Sequence, residues 1–284
     1  MDRFRDLDSY RARREWLRYE GTAQRDLYRE LRERFLVRHA TAEGWVLDIG
    51  PGPGRFLPFE GGAAARRVAL DISREMLSLV PRSWRASRST GPVPHRIRGD
   101  GVRPPLEPGR WAQVVLLGNA LGFAGERAGR LLEESERLIA PGGRLLVEIA
   151  PAPGERSSYL ARLPPSAIAR LLLSPVRAVL GRLDREGFRP EAPRHRTPAT
   201  FHRFSVAELH TRWRALGWEV LETVAVAPAL GADPIRIQAV RKDAKAWAHL
   251  LEMEEEVGRR AARWPGAAAV LLAVLHPSSM RMIK

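Results

Sequence analysis

The stretch Val46-Leu47-Asp48-Ile49-Gly50-Pro51-Gly52-Pro53-Gly54-Arg55-Phe56 decides the fold. It reads as a short buried strand running straight into a glycine-rich turn. Glycine is needed where backbone takes a positive φ or must approach a ligand with no Cβ in the way. A helix start after such a turn presents free N–H groups to an anion, here the carboxylate of a bound amino acid. The G-x-G-x-x-G/A pattern of dinucleotide binding fits badly. Counted from Gly50 its third glycine falls at Arg55, and counted from Gly52 it falls at Leu57. Asp48, just before the turn, would repel a pyrophosphate and suits a cationic group.

Outward from this turn, short apolar runs alternate with helical patterns. Strands are expected at Trp45–Ile49, Arg67–Asp71, His95–Arg98, Gln113–Leu117, Arg144–Ile149 and Trp218–Val226. The clearest helix between them, Glu126–Ile139, carries Leu131, Leu132, Leu138 and Ile139 and stops at Pro141-Gly142-Gly143. Ser205–Leu216 opens with a capping box, Ser205 and Glu208. Strands alternating with helices imply βαβ units: a doubly wound α/β fold whose sheet is mostly parallel, with helices on both faces. Two segments compete for the last strand. Ile235–Val240 mixes polar residues in, whereas Ala267–Leu275 is continuously apolar, as burial on both faces requires, and is the one expected inside the sheet. A helix near 243–263, with Trp247, Leu250, Leu251 and Val257, precedes it.

Residues 1–40 read as two helices forming an N-terminal cap on a domain of residues 41–284. Leu27, Leu31 and Phe35 lie at spacing four in the second helix, and Thr22 is placed to cap it. Residues 151–205, rich in proline and arginine, read as an insertion after the fifth strand.

The order of these pieces resembles the Rossmann-like (class I) S-adenosylmethionine-dependent methyltransferases, closely over residues 45–150 and loosely over 200–276. The resemblance implies a seven-stranded sheet and S-adenosyl-L-methionine as methyl donor. It implies that Asp48, Gly50, Gly52 and Gly54 cradle the amino-acid end of the donor. Asp71 would accept from both ribose hydroxyls, and Ile72 would pack on the adenine. Asp100, with Gly101, would accept from the adenine amino group, and Asn119 ends the fourth strand beneath the methionine. Leu138-Ile139-Ala140-Pro141-Gly142-Gly143-Arg144-Leu145 resembles the family's turn into the fifth strand. The chain departs from the pattern in three places. Pro58, Gly61 and Gly62 should shorten the helix after the glycine turn. Trp111-Ala112-Gln113 stands where an acidic residue is common. Asn119-Ala120-Leu121-Gly122 replaces an Asn-Pro-Pro-Tyr-type tetrapeptide, which argues against amino-group methylation of DNA bases and of protein glutamine.

Composition narrows the chemistry. The 284 residues include no cysteine. That excludes disulfides, thiolate metal sites, cysteine-ligated iron–sulfur radical chemistry and cysteine-adduct methylation of cytosine C5; no metal is expected. The charged start, and the absence of an apolar run of membrane-spanning length, point to a cytoplasmic protein without a membrane partner. The formal charge is +14, but only Lys242, Lys245 and Lys284 are lysines. Such an arginine bias fits GC-rich codon usage as well as a polyanion partner.

The acceptor is less legible. An activated methyl needs alignment and exclusion of water more than it needs a fixed base. Glu148, ending the fifth strand, is one candidate base and is equally readable as a salt-bridged carboxylate. His202, between Phe201 and Phe204, and His195 lie in the insertion. Tyr10, Trp16 and Tyr19 suit an aromatic lid or simple helix packing. A small-molecule acceptor is the leading expectation. The alternative is RNA, with Arg11, Arg13, Arg14, Arg18, Arg25 and the 82–103 stretch as a phosphate track. A non-catalytic binding protein is disfavoured because Asp48, the glycines, Asp71 and Asp100 are all present.

Overall fold

A run of apolar residues buried on both faces belongs in the middle of a parallel sheet, and β1 (Trp45–Ile49) lies there. A computed structural model describes residues 22–87, 89, 91–150, 206–227, 234–262 and 271–277, together with Pro175. Its other strands are β2 (Arg66–Asp71), β3 (His95–Arg98), β4 (Trp111–Leu116), β5 (Ile139–Ile149), β6 (Trp218–Ala225) and β7 (Leu271–Pro277). They form one sheet in the order β3-β2-β1-β4-β5-β7-β6. The first five are parallel, and β7 runs antiparallel between β5 and β6.

The apolar segment therefore enters the sheet interior, with Leu272, Ala273, Val274 and Leu275 all buried. Its competitor forms helix α6 (Pro234–Arg241) instead. Pro234 suits a helix start, and Ile237 and Val240, one turn apart, are both fully buried. The remaining helices are α1 (Ala23–His39), α2 (Arg74–Ala86), α3 (Ala120–Ala124), α4 (Ala128–Leu138), α5 (Val206–Ala215) and α7 (Ala244–Ala261). The helix expected at Glu126–Ile139 is shorter at its start, where Gly125–Arg127 forms a 3-10 turn. β5 begins earlier than expected, because Ile139 already pairs with Trp111 ahead of the irregularity between Trp111 and Gln113.

Both faces of the sheet are covered. On one face Val46, Val115, Leu146, Leu272 and Val274 pack with α1, α6 and α7, and on the other Leu47, Ile49, Val114, Leu116 and Val147 pack with α4 and Trp213 of α5. The Thr22 side chain caps α1 by accepting from the Arg25 N–H, and Leu27, Leu31, Phe35 and Leu36 are buried in the main core. Burying each such side chain contributes about 1.5–3 kcal/mol. The first expected helix, the insertion at 151–205 with His195 and His202, and Ser205 of the capping box lie outside the described residues, as do Tyr10, Trp16 and Tyr19.

Parallel strands all end at the same edge. That edge is open beside β1, where the chain order reverses between β1 and β4, and such a switch point forms a natural crevice for a ligand.

Candidate active site

The loops after β1, β2, β3 and β4 meet at this carboxyl edge. Gly50, Gly52 and Gly54 have φ of 77°, 57° and 75°, the left-handed region in which a side chain is strained. A Cβ on Gly54 would stand 2.7 Å from Leu57 Cδ1 and 3.0 Å from Val80 Cγ2, so this turn is closed against its own core. At Gly52 the space is open, with nothing nearer than Met76 Sδ at 4.0 Å. Pro58 and the pair Gly61-Gly62 shorten the next helix to a single 3-10 turn, Leu57–Phe59, as their sequence requires.

Asp71 joins two loops. Its Oδ2 accepts the Gly52 N–H at 3.1 Å and its Oδ1 accepts the Ser73 N–H at 2.8 Å, while Ser73 caps α2 through Met76. Ile72 beside it is 39% exposed, unusual for so large an apolar side chain at the rim of a crevice. Asp100 accepts the Val102 N–H at 3.1 Å and pairs with Arg127 at 2.7 Å. Gly101 sits so close to β1 that a Cβ would meet Ile49 Cγ2 at 2.4 Å. Asn119 adopts φ 64° after β4 and is 8% exposed. Its Oδ1 accepts the Ala150 N–H at 3.2 Å, tying the ends of β4 and β5 together, and its Nδ2 is buried without a hydrogen-bond partner.

Asp48 points under the glycine turn and is 2% exposed. Its neighbour Glu60, which no sequence motif singles out, is 0% exposed. The two carboxyls hydrogen-bond to each other. No N–H or hydroxyl among the described residues donates to Asp48 Oδ1 or to either Glu60 oxygen. Two carboxylates cannot face one another ionised in a dry interior, so the pair retains a proton. Burial, and then the Glu60 and Asp71 charges, hold Asp48 well above the usual carboxylate range. Burial also pushes Glu60 up to about 7, against the pull of the Asp48 hydrogen bond and the Arg67 guanidinium. Arg67 does not pair directly with Glu60. It donates to the carbonyls of Leu57 at 2.8 Å, Ala65 at 2.9 Å, Gly62 at 3.0 Å and Gly61, and lies over the Trp84 ring. Gln113 Nε2 holds the Glu60 carbonyl at 2.6 Å, which gives the glutamine of Trp111-Ala112-Gln113 a structural task.

Glu148, the candidate base at the end of β5, is engaged elsewhere. Its oxygens accept Arg32 Nε at 2.8 Å and Nη2 at 2.9 Å in a buried two-point ion pair. A carboxylate held this way is a poor proton acceptor, because taking a proton would abandon a buried guanidinium. Among the described residues no group of three or more His, Asp or Glu could hold a metal ion, and no helix is long and apolar enough to cross a membrane.

Residues 47–147, from β1 to β5, match the family model for the methyltransferase domain. These residues form a methyltransferase domain, on the Rossmann-like fold that the whole sheet shows. Such a domain implies S-adenosylmethionine as the methyl donor. The residues present fit that donor: a buried carboxyl with an unpartnered oxygen at Asp48, open backbone at Gly52, and an exposed apolar side chain at Ile72.

Two solved structures resemble this methyltransferase over nearly its whole length. One is a Thermotoga maritima S-adenosylmethionine-dependent methyltransferase described as a possible histamine N-methyltransferase, at TM-score 0.55 and 16% identity, covering 96% of this chain and 98% of that one. The other is a chain from the complex of the Haloferax volcanii Trm112 methyltransferase activator, at TM-score 0.53 and 18% identity, covering 97% of each. At such identities the likeness speaks to the fold alone. No curated protein sequence matches the chain.

Proposed function

We propose that this methyltransferase acts on a small-molecule acceptor, with the donor lying along the loops after β1 to β4. The observation that carries the reading is the fate of the arginines on α1. Arg29 pairs with Asp26 and Glu33, Arg32 with Glu148, Arg34 with Glu255, and Arg38 with Glu222 and Glu255. Guanidinium groups already bound to carboxylates make a poor track for RNA phosphates.

The sulfonium of the donor supplies a methyl already activated for in-line displacement. The chain's own groups bind and orient. Asp71 receives the ribose hydroxyls, and Ile72 offers an apolar contact to the adenine. Asp100 accepts from the adenine amino group, while Asp48 supplies negative charge to the ammonium through the glycine turn. Asn119, anchored to Ala150, fixes the floor at the end of β4, and its buried Nδ2 is a donor for an oxygen of donor or acceptor. Glu148 and Arg32 stiffen the neighbouring end of β5 and do not move protons. His202 is retained as the candidate base.

The test is a transfer assay with methyl-labelled donor on a cell extract divided into low-mass and RNA fractions. Label should enter the low-mass fraction. Label confined to RNA overturns the acceptor reading and leaves the methyltransferase in place.

A further inference from the structure

The buried acid beneath the glycine turn has a consequence for ligand binding. We propose that Glu60 is a positioning residue of the donor site: it shares a proton with Asp48 and so sets the charge that Asp48 presents to the donor's ammonium group. The inference rests on the reading that places Asp48 at that ammonium.

The geometry is specific. Glu60 and Asp48 are both buried, the Glu60 carbonyl is held by Gln113 on the strand beside β1, and no hydrogen-bond donor among the described residues serves Asp48 Oδ1 or either Glu60 oxygen. The Glu60 backbone is clamped from two sides, its carbonyl by Gln113 and the carbonyls of the next two residues, Gly61 and Gly62, by Arg67. The side chain therefore cannot swing to solvent without breaking a fixed loop. The charged groups acting on the pair are Arg67 and Asp71, both from β2. Arg67 favours ionisation of the pair and Asp71 opposes it.

A pair that keeps an extra proton in the dry floor is a weak counter-charge. A bound ammonium favours the ionised pair, so binding drives a proton from the carboxyls to solvent. Only a proton moves, and no bond to carbon or sulfur changes. Replacing Glu60 by glutamine would supply a permanent N–H donor to Asp48 and remove the carboxyl that shares its proton. Only burial and Asp71 would then oppose ionisation of Asp48.

The experiment is calorimetry of S-adenosylhomocysteine, which carries the same ammonium, at about pH 6.5 in two buffers of different ionisation enthalpy. The wild type should release roughly half to one proton per ligand. Glu60→Gln should release clearly fewer protons than the wild type, and its affinity should vary less with pH between about 5.5 and 8. Asp48→Asn should weaken binding by about tenfold or more. If Glu60→Gln releases as many protons as the wild type, the positioning role is overturned while Asp48 keeps its place. If Asp48→Asn binds as tightly as the wild type, the placement of Asp48 itself fails and the role of Glu60 fails with it. A second measurement needs no ligand. The melting temperature of the wild type should fall more steeply than that of Glu60→Gln as the pH rises from about 5 to 8, and parallel slopes would remove the shared proton.

Discussion

At the residue scale, the site is built from acids that differ in how they are satisfied. Asp71 takes a backbone N–H on each oxygen and so joins the loops after β1 and β2. Asp71→Ala should weaken S-adenosylhomocysteine binding by about ten- to a hundredfold, the loss of charge-assisted hydrogen bonds worth roughly 1.5–3 kcal/mol. Asp71→Asn should fall between the two, and unchanged affinity in both variants would remove Asp71 from the ribose. Asp48 and Glu60 differ because nothing but each other satisfies them. Glu60 has its folded pKa raised from 4.5 to about 7. The folded protein therefore binds more protons than the unfolded chain between those values. Stability is highest below the lower value and is lost as pH rises through the upper one, by up to about 3 kcal/mol. Urea denaturation of the ligand-free protein at both ends of this window measures it. The same scale explains Gly101, where a methyl group would collide with Ile49 at the heart of β1. Gly101→Ala should cost about 1–3 kcal/mol by overpacking and displace the loop that carries Asp100.

At the element scale, α1 is joined to the sheet by more than apolar contact. Arg32 on α1 and Glu148 on β5 form a two-point pair in a dry setting, and Arg32 also donates to the Tyr28 carbonyl. Removing one partner strands the other charge, so Arg32→Met or Glu148→Leu should each destabilise by about 3–5 kcal/mol. The double variant should recover much of that loss, and additive losses in denaturant titrations would refute the coupling. This pair also shows where sequence reading stops. Residues 116 positions apart announce no partnership, so Glu148 looked as much like a base as a brace. The elements were more legible. Continuous burial marked β1, β4 and β7, and spacing four marked α1, because periodicity reports the environment of each face directly. Pro81 hid the central turns of α2, since proline normally breaks a helix. Here the Leu77 carbonyl that loses its helical donor is met instead by Arg96 at 3.5 Å. The glycine turn, Asp71, Asp100 and Asn119 could be singled out as candidates because each lies in a local motif. Glu60 was not, because an acid in Leu57-Pro58-Phe59-Glu60-Gly61-Gly62 gains its meaning only when the loop folds over Asp48.

For the whole molecule, the question is what a charge of +14 does. Much of the basic surface that the structure describes is internally compensated. Besides the α1 arginines, Arg127 is bound to Asp100, Arg130 and Arg137 to Glu134, Arg212 to Glu208, and Arg260 to Glu256. At the β3 edge Arg85, Arg96 and Arg98 donate to backbone carbonyls, and no carboxylate among the described residues pairs with them. A cluster of that size can hold a polyanion weakly without orienting it. Transfer RNA should therefore bind at low salt and be released by moderate salt, with a slope reporting only about two or three phosphate contacts. Added transfer RNA should not inhibit methylation of a small acceptor at about 0.15 M salt, where surface charges are screened within about 8 Å. Filter binding across a salt series, run beside the labelled-donor assay, measures both quantities. A steeper slope, with transfer RNA competing against the acceptor, would mean that the basic surface leads into the active site and that the charge of the chain was selected for its substrate.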